Sequence, residues 1–158
     1  MSNEYDIIIL GAGTTAFAGA RIAAAAGKKV LLVEQSQPGG TCVNWGCIPS
    51  KTLIHKAEMY YAARKGMRWG LNLHAGAPDC GTLMPLKKAA VETIRNSHYQ
   101  HELDNTPGLE IVRGRGRFVS RGEIVVEGQA YRALHFLIAT GGKPRSVNLP
   151  GLDRKSVV

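Results

Sequence analysis

Nowhere does the chain hold a run of eighteen apolar residues, and a membrane-spanning helix takes roughly twenty. The opening Met1-Ser2-Asn3-Glu4-Tyr5-Asp6 is polar and leads straight into a predicted strand. We therefore expect neither a signal peptide nor a membrane segment, and a cytoplasmic location. Cysteine is scarce, three in 158 residues. In a reducing compartment that excludes a structural disulfide framework, so a disulfide formed here would be catalytic. Acidic residues number 12 against 20 Lys and Arg, a net charge of +8, and aromatics make up only 6%. The basic residues are scattered over Arg64-Lys65-Gly66-Met67-Arg68, Lys87-Lys88, residues 113–121 and Lys143-Pro144-Arg145, with no continuous basic helix and no interleaved aromatic platform. That pattern argues against nucleic acid and leaves an anionic cofactor among the candidate partners.

What is present suffices for one core, since 44% of the 158 residues are hydrophobic. One domain over residues 1–158 is the expectation. Asp6-Ile7-Ile8-Ile9-Leu10 reads as a fully buried parallel strand ending on Gly11-Ala12-Gly13. An Ala-rich helix over residues 14–26 follows and stops at Gly27, whose freedom at positive φ suits a helix C-terminus. Lys29-Val30-Leu31-Leu32-Val33-Glu34 is a second buried strand. Together these form a strand–turn–helix–strand unit of the Rossmann-like, dinucleotide-binding type.

Apolar spacing predicts helices over 51–65 and 86–103 that pair with each other, separated by a Gly/Pro-rich break at 70–85 and ended by Pro107-Gly108. From Leu109 the period shortens to that of strands. It predicts a strand of the main sheet, an antiparallel β-meander including Ala130-Tyr131-Arg132, and a separate return strand over 134–139 that runs into Thr140-Gly141-Gly142. The fold class expected is α/β, a parallel sheet with an antiparallel meander.

Gly11-x-Gly13-x-x-Ala16 fits the dinucleotide fingerprint. Gly11 makes the tight turn, Gly13 lets the backbone approach a pyrophosphate, and small Ala16 lets helix pack on strand. The pyrophosphate would sit on the helix N-terminus, where free N–H groups and the dipole favour an anion. Glu34 lies twenty-one residues beyond Gly13, at a strand end where it can accept hydrogen bonds from a ribose; a solvated strand-end carboxylate is the plainer alternative. The motif alone does not separate NAD from FAD.

Cys42 and Cys47 flank Val43-Asn44-Trp45-Gly46, and Pro49 and Lys51 follow at the start of the predicted helix. Thiols near a helix N-terminus and a lysine are expected to ionise more readily, which suits thiol–disulfide exchange. The alternatives are two packed apolar cysteines or half of a zinc site. Zinc would need a second ligand pair, for which only His98-x-x-His101 offers itself, and surface histidines explain that pair better.

The segment Gly39-Gly40-Thr41-Cys42-Val43-Asn44-Trp45-Gly46-Cys47-Ile48-Pro49-Ser50-Lys51, with the fingerprint before it and Ala139-Thr140-Gly141 after it, resembles class I pyridine nucleotide-disulfide oxidoreductases. The resemblance covers nearly the whole chain and implies FAD as cofactor. Gly11, Gly13 and Glu34 would hold its ADP half, Gly40, Thr41 and Cys42 would line the pyrophosphate and ribityl, and Gly116 would meet the adenine. Thr140 and Gly141 would close over the nucleotide. The resemblance further implies electrons passing from NAD(P)H through FAD to a Cys42–Cys47 disulfide, with Cys47 facing the flavin, Cys42 exchanging with substrate and Lys51 near flavin N5. It explains the Arg113-Gly114-Arg115-Gly116-Arg117 run better than an RNA-binding tract does.

Within that family, Ser50-Lys51-Thr52-Leu53-Ile54 with Ala57-Glu58 and the Ala-rich first helix is most similar to the mercuric reductase branch, with Cys42 and Cys47 as ligands to substrate Hg(II). Dihydrolipoyl dehydrogenase is next, and Ser50 disfavours glutathione reductase. Members continue beyond a segment like Pro150-Gly151-Leu152 into nicotinamide and dimerisation domains and form homodimers. The chain is thus expected to be a truncated FAD-binding portion, either one part of an enzyme or a flavin-binding fragment without turnover. Cys80 matches nothing in that chemistry and is expected to be an ordinary loop thiol.

Overall fold

A computed structural model describes residues 3–142; Lys143-Pro144-Arg145 and Pro150-Gly151-Leu152 lie outside the described residues. The first unit is β1 (Glu4–Leu10), α1 (Thr14–Ala25) and β2 (Val30–Glu34). β1 and β2 pair in parallel, Ile7 beside Val30 through Leu10 beside Val33. α1 closes as anticipated at Gly27, with φ +73°. The Gly27 N–H bonds Ala24 O and the Lys28 N–H bonds Ala23 O, a Schellman closure that satisfies the last carbonyls.

Two helices carry Cys42 and Cys47: the short α2 (Gly40–Asn44) and the long α3 (Cys47–Lys65). α3 starts four residues before the expected residue 51, because Pro49 falls in its first turn, where a missing N–H breaks no helical bond. Lys51 therefore sits one turn inside the helix. α4 (Cys80–Ile94) also starts early, capped by Asp79, whose carboxylate accepts from the Gly81 N–H at 2.9 Å. Pro85, expected in a break, lies inside α4 and forgoes a single backbone bond. Cys80 is thus the exposed first residue of a helix and not a loop thiol. A π-helical turn (Arg95–Gln100) and α5 (His101–Asn105) complete this arm, which packs against α3 as expected.

β3 (Leu109–Arg113), β4 (Arg117–Ser120), β5 (Glu123–Val126) and β6 (Gln129–Ile138) finish a six-stranded sheet in the order β3-β2-β1-β6-β5-β4. The last meander strand and the return strand, expected as two, are one strand. β6 runs antiparallel to β5 up to Arg132 and parallel to β1 from there to Ile138. With no glycine or proline between Gln129 and Ile138, nothing in the chain breaks it.

Strand alternation splits the core between the two faces. Ile9, Val30 and Leu32 pack against Ala16, Phe17 and Ala20 of α1 and Leu103 of α5. Tyr99 meets Phe17 edge-on at 4.7 Å. Ile8, Leu10, Leu31 and Val33 point the other way, where Ile124 and Val126 of β5 fold over them. With both faces covered, Ile7–Leu10 of β1 and Val30–Val33 of β2 run apolar without a break, as buried parallel strands do.

Candidate functional site

The site forms at the C-terminal ends of β1, β2 and β6, where the strand order switches direction around β1. Crevices of doubly wound sheets open at such a point. The Gly11 N–H bonds Val33 O at 2.8 Å and the Ala139 N–H bonds Leu10 O at 2.9 Å, which clamps the turn after β1 between its neighbours. Gly11 has φ +110°, and a Cβ there would meet Ala139 O at 2.3 Å. No side chain fits. Gly13 is the N-cap of α1, which has no side-chain cap and no acidic residue in its first turn, so its N–H groups and positive dipole end are left for an anion.

A second segment closes onto this turn. The Gly39 N–H bonds Ala12 O at 2.7 Å, and a Cβ on Gly40 would lie 2.8 Å from the Gly13 Cα. The two backbones touch, and the start of α2, bearing Thr41 and Cys42, stands against the start of α1. Glu34 is adjacent: its carboxylate accepts the Ala12 N–H at 2.8 Å and the Ser36 N–H at 2.7 Å. Each oxygen keeps further lone-pair capacity for hydroxyl donors. Gly116 lies over the same strand ends, where a Cβ would meet Leu10 at 2.8 Å and Val33 at 3.3 Å. Thr140 follows β6 with its Cα 3.4 Å from where a Gly11 Cβ would stand, and Gly141 has φ +68° with open space around it. Ala16 is fully buried beneath α1, so its part is packing.

Cys42 and Cys47 are both free thiols, the first half-buried and the second exposed. They act on each other: hydrogen bonding with the Cys47 side chain, more than burial, pushes the Cys42 thiol above its ordinary range. The Cys47 backbone N–H and the Lys51 charge pull the other way without prevailing. The expectation that both thiols ionise more readily thus fails for Cys42, whose interaction with the Cys47 side chain raises its pKa. Lys51, four residues after Cys47 and on the same helical face, is exposed.

Sequence reasoning missed the bracket that holds this loop. Asn44, between the cysteines, donates from Nδ2 to the carbonyls of Pro38 at 3.0 Å and Gly40 at 2.9 Å. Its Oδ1 accepts from Arg95 Nε at 3.0 Å. An Asn near Gly-rich turns is a signal for such local bonding; Arg95, far off in sequence, gave none. Among the described residues no group of three or more His, Cys, Asp or Glu could hold a metal, and His98 and His101 are exposed. No helix of the described residues is long and apolar enough to cross a membrane.

A dinucleotide-type glycine turn, closed over by a segment that leads into an interacting cysteine pair, defines a disulfide oxidoreductase domain. Residues 5–157 match the family described as pyridine nucleotide-disulphide oxidoreductase, and the chain belongs to that family. It is 39% identical to the mercuric reductase of Bacillus cereus over 150 residues, 95% of this chain and 24% of that protein. It is 32% identical to the dihydrolipoyl dehydrogenase of Chlamydia muridarum (strain MoPn / Nigg), over 96% of this chain and 32% of that one. Among solved structures it resembles the HOCl-induced flavoprotein disulfide reductase RclA of Escherichia coli, with a TM-score of 0.77 and 29% identity over 93% of this chain and 30% of that one. The chain thus spans about a quarter to a third of the length of these relatives.

Proposed function

We propose that this chain is the FAD-binding, disulfide-bearing portion of an NAD(P)H-dependent oxidoreductase whose substrate is Hg(II). The carrying observation is the contact of the Gly40 and Gly13 backbones, which supports a reading in which the Cys42–Cys47 pair, beginning two residues further on, serves the cofactor held at that turn. The donor set fits the cofactor: two helix starts face a pyrophosphate, and Glu34 stands where a ribose would lie. FAD, when bound, supplies two-electron transfer between a nicotinamide and the cysteine pair. The protein's share is to hold the pyrophosphate at the α1 N-terminus, to keep the two sulfurs in contact and to place the Lys51 charge beside them. Exposed Cys47 and half-buried Cys42 offer paired soft sulfur ligands, which suit Hg(II), and mercuric reductases are among the relatives.

Dihydrolipoyl dehydrogenase is the second reading, carried by the relatives of that name. In either case the nicotinamide and dimerisation domains belong to polypeptide outside these residues, and the whole enzyme is a cytoplasmic homodimer. Alone, the chain binds FAD and shows no nicotinamide-dependent turnover. Purified protein should be yellow, release FAD on denaturation and carry a reducible Cys42–Cys47 disulfide. With the thiols reduced, Hg(II) should titrate one ion per pair and block alkylation of both. A protein that cannot be loaded with FAD overturns the flavin reading; rapid exchange with a lipoamide disulfide and weak Hg(II) binding would favour the second.

A further inference from the structure

Helix α4 ends at Ile94, and its C-cap Arg95 is the first residue of the π-helical turn. Six residues of π-helix at one place are unusual, and such turns re-aim side chains and gather at functional sites. Here the turn begins at Arg95, whose side chain hydrogen-bonds to the cysteine loop. Arg95 is half-buried, and its Nε donates to Asn44 Oδ1 at 3.0 Å across 51 residues of sequence. With Oδ1 engaged, the Asn44 amide is fixed with Nδ2 toward the loop, where it donates to Pro38 O and Gly40 O. That loop is the one whose Gly39 N–H bonds Ala12 O and whose Gly40 abuts Gly13, while its next turn carries Cys42.

We infer that Arg95 is a positioning residue for the redox loop: through Asn44 it fixes residues 37–42 against the Gly11–Gly13 turn and so sets both nucleotide affinity and the register of Cys42 on Cys47. This rests on the flavin-disulfide reading above. The action runs through the hydrogen bond, since Arg95 Nε meets Asn44 Oδ1 directly. A residue that merely held α4 together would leave the thiols unaffected.

The side chains available at position 95 separate these roles. Arg95→Gln carries a donor nitrogen at the same distance along the stem as Nε but no charge. Arg95→Lys keeps the charge and places its nitrogen further out, and Arg95→Ala removes both. Two readouts on the full 158-residue chain are used: FAD affinity by quenching of flavin fluorescence, and, without flavin, the pH midpoint and rate of Cys42 alkylation by iodoacetamide. A lost hydrogen bond is worth on the order of tenfold in an equilibrium. Arg95→Ala and Arg95→Lys should therefore weaken FAD binding about tenfold and shift the Cys42 alkylation profile, whereas Arg95→Gln should stay near wild type in both. With Asn44→Ala already in place, Arg95→Ala should add nothing.

Wild-type-like Arg95→Ala, loss in Arg95→Gln equal to that in Arg95→Ala, or full additivity with Asn44→Ala each overturns the inference. Should Arg95→Ala fail to fold, the contrast between Gln and Lys decides it. If wild type binds no FAD, the flavin reading fails alone, and the alkylation profiles still judge Arg95.

Discussion

Replacing Gly11 by alanine tests the crevice at its tightest point. Two separable penalties meet there: a φ of +110° that an L side chain rarely adopts, and a Cβ placed 2.3 Å from Ala139 O and 2.9 Å from Ala139 C. The first is common to all positive-φ glycines and is roughly 1–2 kcal/mol. Gly27→Ala isolates it, since Gly27 has φ +73° and nothing within 4 Å of a Cβ. The second is particular to Gly11. Its obstacle is backbone held by the Ala139 N–H to Leu10 O bond, so no rotamer relieves the overlap and β1 and β6 must part. Overpacking of that kind adds about 1–3 kcal/mol. For a domain of this length, Gly27→Ala should lower Tm by about 3–6 °C and Gly11→Ala by about 10 °C. Because the displaced turn also carries the α1 N-terminus, Gly11→Ala should weaken FAD binding by about 100-fold or more, with Gly27→Ala unchanged. Thermal melts and fluorescence titration measure both. Equal Tm losses in the two variants, or FAD affinity within about twofold of wild type in Gly11→Ala, would refute the close-approach argument.

The Cys42 thiol is held up first by its bond to Cys47, so Cys47→Ala should bring the pH midpoint of Cys42 alkylation down toward or below the ordinary 9.0, with Lys51 and the residue-47 N–H still acting; an unchanged or higher midpoint, read by mass spectrometry, contradicts the contact. Asp79 has its pKa lowered by bonds from the Thr82 hydroxyl and the Gly81 N–H. A depressed folded value means its stabilisation of α4 is present above the ordinary 3.8 and fades as pH falls through the lower folded value. Protection of the amides at the start of α4, taken against their intrinsic exchange rate at each pH, should thus fall in acid below that point in wild type, but already at neutral pH in Asp79→Ala. Identical neutral exchange in the two proteins would remove the cap from the account.

Much of the first unit was legible because its signals are local. Apolar runs, Gly11-x-Gly13, the Ala-rich helix and Gly27 each constrain a few neighbouring residues, and the structure follows them within a residue or so. The reading failed where proline was taken as a boundary. Pro49 and Pro85 both lie inside helices, at positions where a missing N–H breaks few bonds or none. It failed again at β6, since a strand that changes partner midway carries no mark of the change in its own residues.

The sequence by itself determined the type of unit, the glycines that a crevice needs and the presence of two cysteines one short segment apart, because turn geometry, helix capping and strand burial act between near neighbours. Only the tertiary structure decided that Gly40 rests on Gly13, that Cys47 pushes the Cys42 thiol's pKa up and that Arg95 reaches Asn44 from a helix far along the chain. Those contacts depend on directions and distances of a few ångströms between segments that the order of residues does not encode locally.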